Sequence, residues 1–242
     1  MVIWAGAFPR EKTLSPIQLK MTDFLGAAIF HTIASKPQRP GDGAGLRQIE
    51  NGRCDNPVVA PSTVLSHWER KLSQHVPGLK AAVYHGGARD MDEALKKAKI
   101  LLTTYGVLRR DIERLRAVFF TLAVFDEVQY LKNPETQAFQ CAREINAGMK
   151  LGLTGTPIEN RLQELKALLD LTVPGYLGKD SRFCSRYLEP VEKHLEGART
   201  EELRRLISPV TLRRRKETVL RDLPPKIEDV RTCRPRGSAL SA

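Results

Sequence analysis

Two stretches of the sequence, Thr121–Leu122–Ala123–Val124–Phe125–Asp126–Glu127–Val128–Gln129 and Leu151–Gly152–Leu153–Thr154–Gly155–Thr156–Pro157, decide the fold. Each begins as an apolar run of strand length and ends in polar residues. The first run ends in two adjacent carboxylates, and the second ends in two hydroxyls around a glycine. Ligands of open parallel sheets bind outside the carboxyl ends of the strands. The two stretches therefore predict a nucleotide site at one edge of a parallel sheet.

Short apolar runs alternate with helical patterns on both sides of these stretches. Strands alternating with longer helices are typical of a parallel sheet covered by helices on both faces. Right-handed crossovers place the carboxyl ends of all the strands at one edge. The sequence thus predicts a doubly wound α/β fold, and the pattern after residue 179 predicts a helical C-terminal extension. The predicted strands are Pro57–Pro61, Ala81–Tyr84, Ile100–Thr103, Phe119–Phe125 and Lys150–Leu153, and one of the predicted helices is Val107–Arg116.

The chain of 242 residues carries a net charge of +11, which is concentrated near its end. From Arg199 onward there are twelve Lys and Arg residues against six Asp and Glu residues. Such an excess indicates an anionic partner, with nucleic acid the first candidate and an acidic membrane surface the second. A solvated basic tail is the alternative interpretation.

The cysteines and histidines make no cluster with metal-ligand spacing. No apolar run approaches the roughly 20 residues that a membrane-spanning helix needs, so we expect no membrane partner. Scattered cysteines in a chain of this size favour reduced thiols in a cytosolic or nuclear compartment. The four cysteines are Cys54, Cys141, Cys184 and Cys233.

An Asp-Glu pair at a strand end is suited to chemistry on a magnesium nucleotide. Asp126 can hold Mg²⁺ through water, because this ion prefers one or two carboxylates and keeps several waters. Glu127 can orient and deprotonate an attacking water, and Gln129 can relay hydrogen bonds to neighbouring elements. Taken alone, the motif is equally compatible with a surface turn that carries an ordinary acidic pair. The second strand end favours the nucleotide interpretation through Thr154, Gly155 and Thr156.

Asp126–Glu127–Val128–Gln129, followed by Lys132–Asn133–Pro134 and by Leu153–Thr154–Gly155–Thr156–Pro157–Ile158–Glu159–Asn160, resembles the Swi/Snf-type ATP-dependent DNA translocases of helicase superfamily two. The resemblance covers residues 57–229, with the motifs in order, and it implies the first RecA-like lobe of such a motor. A weaker match, Leu14–Leu25 with Gln18, resembles the adenine-reading motif. Further matching segments are Val59–Ala60–Pro61–Ser62 with Trp68–Glu69, Tyr84–His85–Gly86, Leu102–Thr103–Thr104–Tyr105, Leu212–Arg213–Arg214–Arg215–Lys216 and Asp222–Leu223–Pro224–Pro225–Lys226.

The resemblance implies ATP and Mg²⁺ as cofactors, double-stranded DNA as a partner, and chromatin remodelling among the family's activities. It assigns Mg²⁺ binding to Asp126 and water activation to Glu127. Ser62, Thr63, Thr103 and Thr104 would contact DNA phosphates, which position a protein without reading sequence. Trp68 lies on the apolar side of its predicted helix with Leu65 and Leu72, so we expect it in the core. The residues that would couple hydrolysis to lobe movement are Gln129, Thr154, Gly155 and Thr156.

The family pattern fails at two places in this sequence. The phosphate-binding motif G-x-G-K-T is missing. Its nearest equivalent, Gly41–Asp42–Gly43–Ala44–Gly45–Leu46–Arg47, has no lysine and no following Ser or Thr. We expect Gln18 and Arg47 to contribute nucleotide contacts in this sequence. No second lobe with its arginine finger follows, so we expect a truncated lobe that is inactive alone and whose second lobe lies on another chain.

The sequence predicts four regions and leaves three functions open. Residues 1–56 form a degenerate N-terminal segment, 57–178 the lobe core, 179–229 a helical extension and 230–242 a disordered tail. The first function is the ATPase lobe of a DNA translocase. The alternative is a non-catalytic DNA- or protein-binding module derived from that lobe, and the third is an inactive remnant. We expect the cytoplasm, at the nucleoid, for a bacterial source and the nucleus for a eukaryotic one.

Overall fold

A computed structural model describes residues 2–4, 56–75, 78–155, 162–194 and 196–212. Seven strands of these residues form one sheet in the order β3-β4-β2-β5-β6-β1-β7. The five strands from β2 to β6 are parallel, and β1 pairs antiparallel with both β6 and β7. The strands are β1 Val2–Trp4, β2 Asn56–Ala60, β3 Ala81–Val83, β4 Ile100–Thr104, β5 Phe120–Phe125, β6 Ala147–Leu153 and β7 Thr211–Leu212.

The α-helices connect the parallel strands and continue beyond them. A 3-10 turn, Ser62–Val64, leads from β2 into the first helix, and a second 3-10 turn, Val128–Leu131, follows β5. The α-helices are α1 Leu65–His75, α2 Met91–Lys97, α3 Tyr105–Arg110, α4 Ile112–Arg116, α5 Gln137–Glu144, α6 Leu162–Thr172, α7 Asp180–Phe183, α8 Glu189–His194 and α9 Gly197–Ile207.

The five predicted parallel strands are confirmed, but the predicted single helix Val107–Arg116 is wrong. The structure has two short helices here, α3 and α4, which meet at Asp111. Asp111 has φ −111° and ψ 21°, outside the helical range. Its carboxylate turns away to accept hydrogen bonds from Tyr84 and Arg89. The break therefore serves a long-range contact that helical periodicity does not reveal.

Both faces of the central strands β2, β4 and β5 are buried, as the fold class requires. On the central strands the side chains alternate between two clusters. Val59, Leu101 and Phe125 belong to the larger cluster, which the helices α2 to α7 and α9 cover. Val58, Leu102 and Val124 belong to the smaller cluster, which α1 covers through Leu65 and Leu72. The doubly wound α/β fold is thus confirmed.

A buried lysine helps to attach the helices after residue 179 to the lobe. Lys166 on α6 is 6% exposed and forms ion pairs with Asp170 on the same helix and Asp180 on α7. Its ammonium also lies over the ring of Phe183. Two carboxylates around one buried cation satisfy its charge, so the contact joins the predicted helical extension to the core. None of the described helices has the length and apolar composition to cross a membrane.

Candidate functional site

Asp126 follows β5 directly and is held in place through both its backbone and its side chain. Its backbone N–H donates to the carbonyl of Val59 on β2, at 2.8 Å, and its own carbonyl accepts a 2.7 Å hydrogen bond from the Tyr105 hydroxyl. Its carboxylate accepts two more hydrogen bonds, one at each oxygen. Trp68 Nε1 donates to Oδ2 at 2.7 Å, and the backbone N–H of Glu127 donates to Oδ1 at 2.9 Å. Burial raises the pKa of Asp126, and these two donors only partly oppose that effect.

Glu127 turns the chain sharply at the strand end. With φ 50° and ψ 52° it is the only described non-glycine residue in the left-handed region. Such a conformation costs on the order of 1 kcal/mol or more for a residue with a Cβ, and it is concentrated at functional sites. The turn directs the carboxylate back toward Gln129, whose Nε2 donates to Glu127 Oε2 at 2.6 Å. Gln129 Oε1 is buried and has no hydrogen-bond partner among the described residues.

The end of β6 lies beside this turn. Phe125 pairs with Gly152 in the parallel register, so the two strand ends emerge at neighbouring positions. A Cβ on Gly152 would lie 3.1 Å from Val128 Cγ2, so the glycine allows the turn after β5 to pack closely on β6. Thr154 is 1% exposed, whereas a Cβ on Gly155 would meet no described atom within 4 Å. Thr156, Gln18 and Arg47 lie outside the described residues.

The four predicted DNA-contacting residues occupy two different environments. Ser62 and Thr63 are exposed in the 3-10 turn after β2, at the same edge as Asp126. Thr103 is 1% exposed and donates to the carbonyl of Tyr84 at 2.9 Å. The Thr104 hydroxyl is also buried, and it caps α3 by accepting from the N–H of Val107. DNA contact remains a prediction for all four residues. The hydroxyls of Thr103 and Thr104 form hydrogen bonds within the fold, which does not support DNA contact at these two positions.

A second polar cluster, Tyr84–Arg89–Asp111, was not predicted. Arg89 donates to both carboxylate oxygens of Asp111, at 2.7 and 2.9 Å, and the Tyr84 hydroxyl donates to one of them at 2.5 Å. Arg89 also donates to the carbonyl of Gly86, where the backbone turns with φ 85°. The cluster therefore fixes the loop after β3. The sequence signal was weak, because Asp111 lies 27 positions after Tyr84 and 22 positions after Arg89.

Trp68 was predicted as a core residue, and its ring packs as expected against the smaller cluster. The prediction missed the indole N–H, which reaches Asp126. A buried tryptophan usually finds a partner for this group, so its presence on the helix after β2 was the available signal. Tyr105 was also missed. Burial raises the pKa of Tyr105, so its hydroxyl stays protonated and donates to the strand end, while the exposed ring of Tyr130 stacks on it at 5.5 Å.

The donor chemistry at the end of β5 fits Mg²⁺ bound together with a nucleotide. Each carboxylate oxygen of Asp126 accepts one hydrogen bond and retains a further lone pair. The described residues contain no group of three or more His, Cys, Asp and Glu side chains able to enclose a metal. One carboxylate with waters and substrate phosphates is the usual environment of Mg²⁺, whereas zinc requires more protein ligands.

These elements define a RecA-like α/β lobe with an Asp-Glu turn at a central strand end. The chain belongs to the SNF2-related domain family, which matches residues 27–240. It is similar in structure to the Sulfolobus solfataricus SWI2/SNF2 ATPase core in complex with double-stranded DNA. The sequence identity is 36% and the TM-score 0.63, over 75% of this chain and 38% of that chain. The resemblance drawn from the motifs is thereby confirmed.

Two proteins similar in sequence are much longer than this chain. TATA-binding protein-associated factor MOT1 of Saccharomyces cerevisiae is 34% identical over an alignment of 203 residues, which covers 78% of this chain and 11% of that protein. The Zorya protein ZorD of Escherichia coli is 37% identical over 203 residues, covering 73% of this chain and 19% of ZorD. The chain therefore spans about a fifth or less of the length of these relatives.

Proposed function

We propose that this chain is the first ATPase lobe of a Swi/Snf-type DNA translocase and that it binds ATP, Mg²⁺ and duplex DNA. The observation that carries the proposal is the turn after β5, where a fixed carboxylate, Asp126, is followed by a left-handed Glu127. Family membership and the SWI2/SNF2 core bound to double-stranded DNA support it. The proposed division of the chain has a lobe core over 57–178 and a helical extension over 179–229.

The two carboxylates have different roles in this proposal. Bound Mg²⁺ would neutralise charge on the nucleotide phosphates. Asp126 would hold the ion through water, using the lone pairs that its two donors leave free. Glu127 would accept a proton from the attacking water at Oε1, the oxygen that takes no hydrogen bond from the described residues, while Gln129 holds Oε2. Gln129 Oε1 and Thr154 would couple this site to a second lobe facing the same edge.

DNA would bind along the same edge through Ser62 and Thr63. Both residues are exposed where β2 ends, and a 3-10 turn there presents hydroxyls suited to phosphate oxygens. The net charge of +11 supports an anionic partner and predicts that DNA affinity falls steeply with salt. Contacts to phosphate alone would suit a motor that moves along any sequence.

A non-catalytic DNA- or protein-binding module is the second candidate. The absence of a G-x-G-K-T motif from the sequence favours it, because that motif's lysine meets the β- and γ-phosphates. The two candidates differ in ATP binding, because only the ATPase lobe would bind the nucleotide. ATP binding that depends on Mg²⁺ supports the ATPase lobe, whereas salt-sensitive DNA binding without ATP binding supports the module.

Labelled ATP and a labelled duplex, each titrated with the purified chain, separate the two candidates. We expect micromolar or weaker ATP binding that requires Mg²⁺ and duplex binding that weakens between low and high salt. Glu127→Gln should leave DNA affinity nearly unchanged, because Glu127 is assigned to water activation and not to phosphate contact. The paired variant Ser62→Ala with Thr63→Ala should weaken DNA binding and leave ATP binding intact. A large loss of DNA affinity in Glu127→Gln would contradict the assignment.

A further inference from the structure

Trp68 is the only described side chain that donates a hydrogen bond to the Asp126 carboxylate. The two residues are 58 positions apart in the sequence, and their polar atoms lie 2.7 Å apart in the fold. Trp68 is half-buried on α1, and its ring packs against the smaller hydrophobic cluster. Leu65 and Leu72, one on each side of it along α1, are buried in the same cluster and hold the helix on the sheet. The indole is thus a rigid donor with little freedom to turn away.

The two donors to Asp126 act on different oxygens. The N–H of Glu127 binds Oδ1 from the turn itself, and the Trp68 indole binds Oδ2 from a separate element. A single donor leaves a carboxylate free to rotate about its bonds, whereas two donors from different elements fix its plane. With both present, the remaining lone pairs keep one direction before any ligand arrives. Such outer-shell donors orient ligand groups and typically contribute about 10–100-fold to metal affinity.

We propose that Trp68 is a positioning residue for the magnesium–nucleotide site, acting through its indole N–H on the Asp126 carboxylate. The inference rests on the proposed function, since it assigns a role in the same site. A purely structural role does not explain the choice of residue, because phenylalanine or leucine fills a hydrophobic face without a polar atom. The N–H is directed at the one carboxylate for which a fixed orientation matters to the proposed chemistry.

Trp68→Phe removes the donor and keeps a ring in the cluster, so it is the direct test. Its matched control is Leu79→Ala, since Leu79 also packs partly buried against the smaller cluster and offers no hydrogen bond. The binding of a fluorescent ATP analogue is measured across a Mg²⁺ titration with the parent chain and both variants. We expect the Mg²⁺ concentration at half-saturation to rise about tenfold in Trp68→Phe and to stay unchanged in Leu79→Ala. Unfolding midpoints followed by circular dichroism show whether each variant is folded.

A second measurement, of tryptophan fluorescence, tests the contact between Trp68 and Asp126 in the absence of nucleotide. Trp4 and Trp68 are the two tryptophans of the chain, so in a Trp4→Phe background all tryptophan fluorescence comes from Trp68. We expect Asp126→Asn to change the emission of Trp68 in the absence of ligand, because a neutral amide replaces the charged acceptor. The matched substitution Asp92→Asn, at an exposed carboxylate on α2, should leave the emission unchanged.

The outcomes separate this inference from the proposed function. A parent chain that binds ATP with Mg²⁺ and a Trp68→Phe variant with the same Mg²⁺ half-saturation would overturn the positioning role and leave the proposed function standing. Unchanged Trp68 emission in Asp126→Asn would also overturn the positioning role and leave the proposed function standing. A parent chain that binds no ATP at any Mg²⁺ concentration would overturn the proposed function and the inference together. The positioning role of Trp68 would be established if Trp68→Phe is folded and needs a higher Mg²⁺ concentration for half-saturation, and if Asp126→Asn changes the emission of Trp68.

Discussion

Asp126, after β5, and Asp111, between α3 and α4, are two partly buried carboxylates that the fold treats in opposite ways. Asp111 accepts two hydrogen bonds from Arg89 and one from Tyr84. The Arg89 guanidinium beside it holds the pKa of Asp111 below its ordinary value. Asp126 forms no ion pair with any described lysine or arginine, and burial raises its pKa above the ordinary value. Arg89 therefore balances the charge of Asp111, whereas no described lysine or arginine balances the charge of Asp126.

This difference is the one expected between a carboxylate that stabilises the fold and a carboxylate that binds a ligand. In the cluster Tyr84–Arg89–Asp111 the carboxylate is occupied by hydrogen bonds within the fold, so the cluster stabilises the fold and is not suited to binding a ligand. An unbalanced carboxylate opposes folding, so its presence indicates a role with a positively charged partner. Two neighbouring features of the turn also oppose folding. Glu127 has a left-handed backbone, and the buried Oε1 of Gln129 receives no hydrogen bond from a described residue. The comparison therefore predicts that changes near Asp126 affect binding, while changes near Asp111 affect stability.

The largest effect on stability is expected from Gly152→Val, beneath the Asp126 turn. The added side chain would collide with Val128, whose Cγ2 lies 3.1 Å from the Cβ position of residue 152. Overpacking of this kind costs about 1–3 kcal/mol, and moving Val128 would also displace Glu127 and weaken ATP binding. Urea denaturation measures the loss. Gly155→Ala is the control, because no described atom lies within 4 Å of that Cβ position, and equal losses in both variants would contradict the packing argument.

Asp111→Asn is expected to destabilise the chain by about 1 kcal/mol at neutral pH, the usual net contribution of one hydrogen bond. Because the folded-state pKa of Asp111 is lowered, its contribution is present above its unfolded pKa and disappears as the pH falls through the folded pKa. The parent chain should therefore begin to lose this increment below about pH 3.8 and lose it further as the pH falls, whereas the variant should not. Denaturation at neutral pH and at a pH below that value gives the result, and parallel losses in the two proteins would refute it.

The smallest effect is expected from Arg114→Ala. Arg114 and Asp92 approach to 3.4 Å, but their side chains are 52% and 76% exposed. Exposed ion pairs typically contribute less than about 1 kcal/mol, so the unfolding free energy should change by no more than about 0.5 kcal/mol. A larger loss in urea denaturation would mean that surface charge, and not the enclosed cluster around Asp111, stabilises this side of the lobe.

The fold was largely predictable because its signal is local. The apolar runs that form β2 to β6 are short, regular and separated by helical patterns, so alternation alone indicated the parallel sheet. Strand β1 was not predicted. It has three residues and pairs with β6, about 150 positions away, and neither its length nor its surroundings carries a periodic signal. Long-range antiparallel pairing of so short a segment depends on tertiary contacts.

The sequence predicts that Asp126 and Glu127 lie at a strand end, and the structure places them there. No pattern in the sequence indicates that the Trp68 N–H reaches Asp126. Helical periodicity correctly places the Trp68 ring against the smaller cluster, where it is partly buried, and says nothing about the polar atom on its edge. Thr104 is different, because a threonine just before a helix is a typical N-cap and this local signal is present in the sequence.

The contrast between the two carboxylates is tested most directly by comparing Asp126→Asn with Asp111→Asn in two assays, Mg²⁺-dependent ATP binding and urea denaturation. Asp126→Asn should lose about 10–100-fold in Mg²⁺-dependent affinity and keep or slightly gain stability, because an uncompensated buried charge is removed. Asp111→Asn should keep the affinity and lose stability. The contrast is contradicted if Asp126→Asn binds ATP with Mg²⁺ as tightly as the parent chain, or if Asp111→Asn loses that binding while remaining as stable.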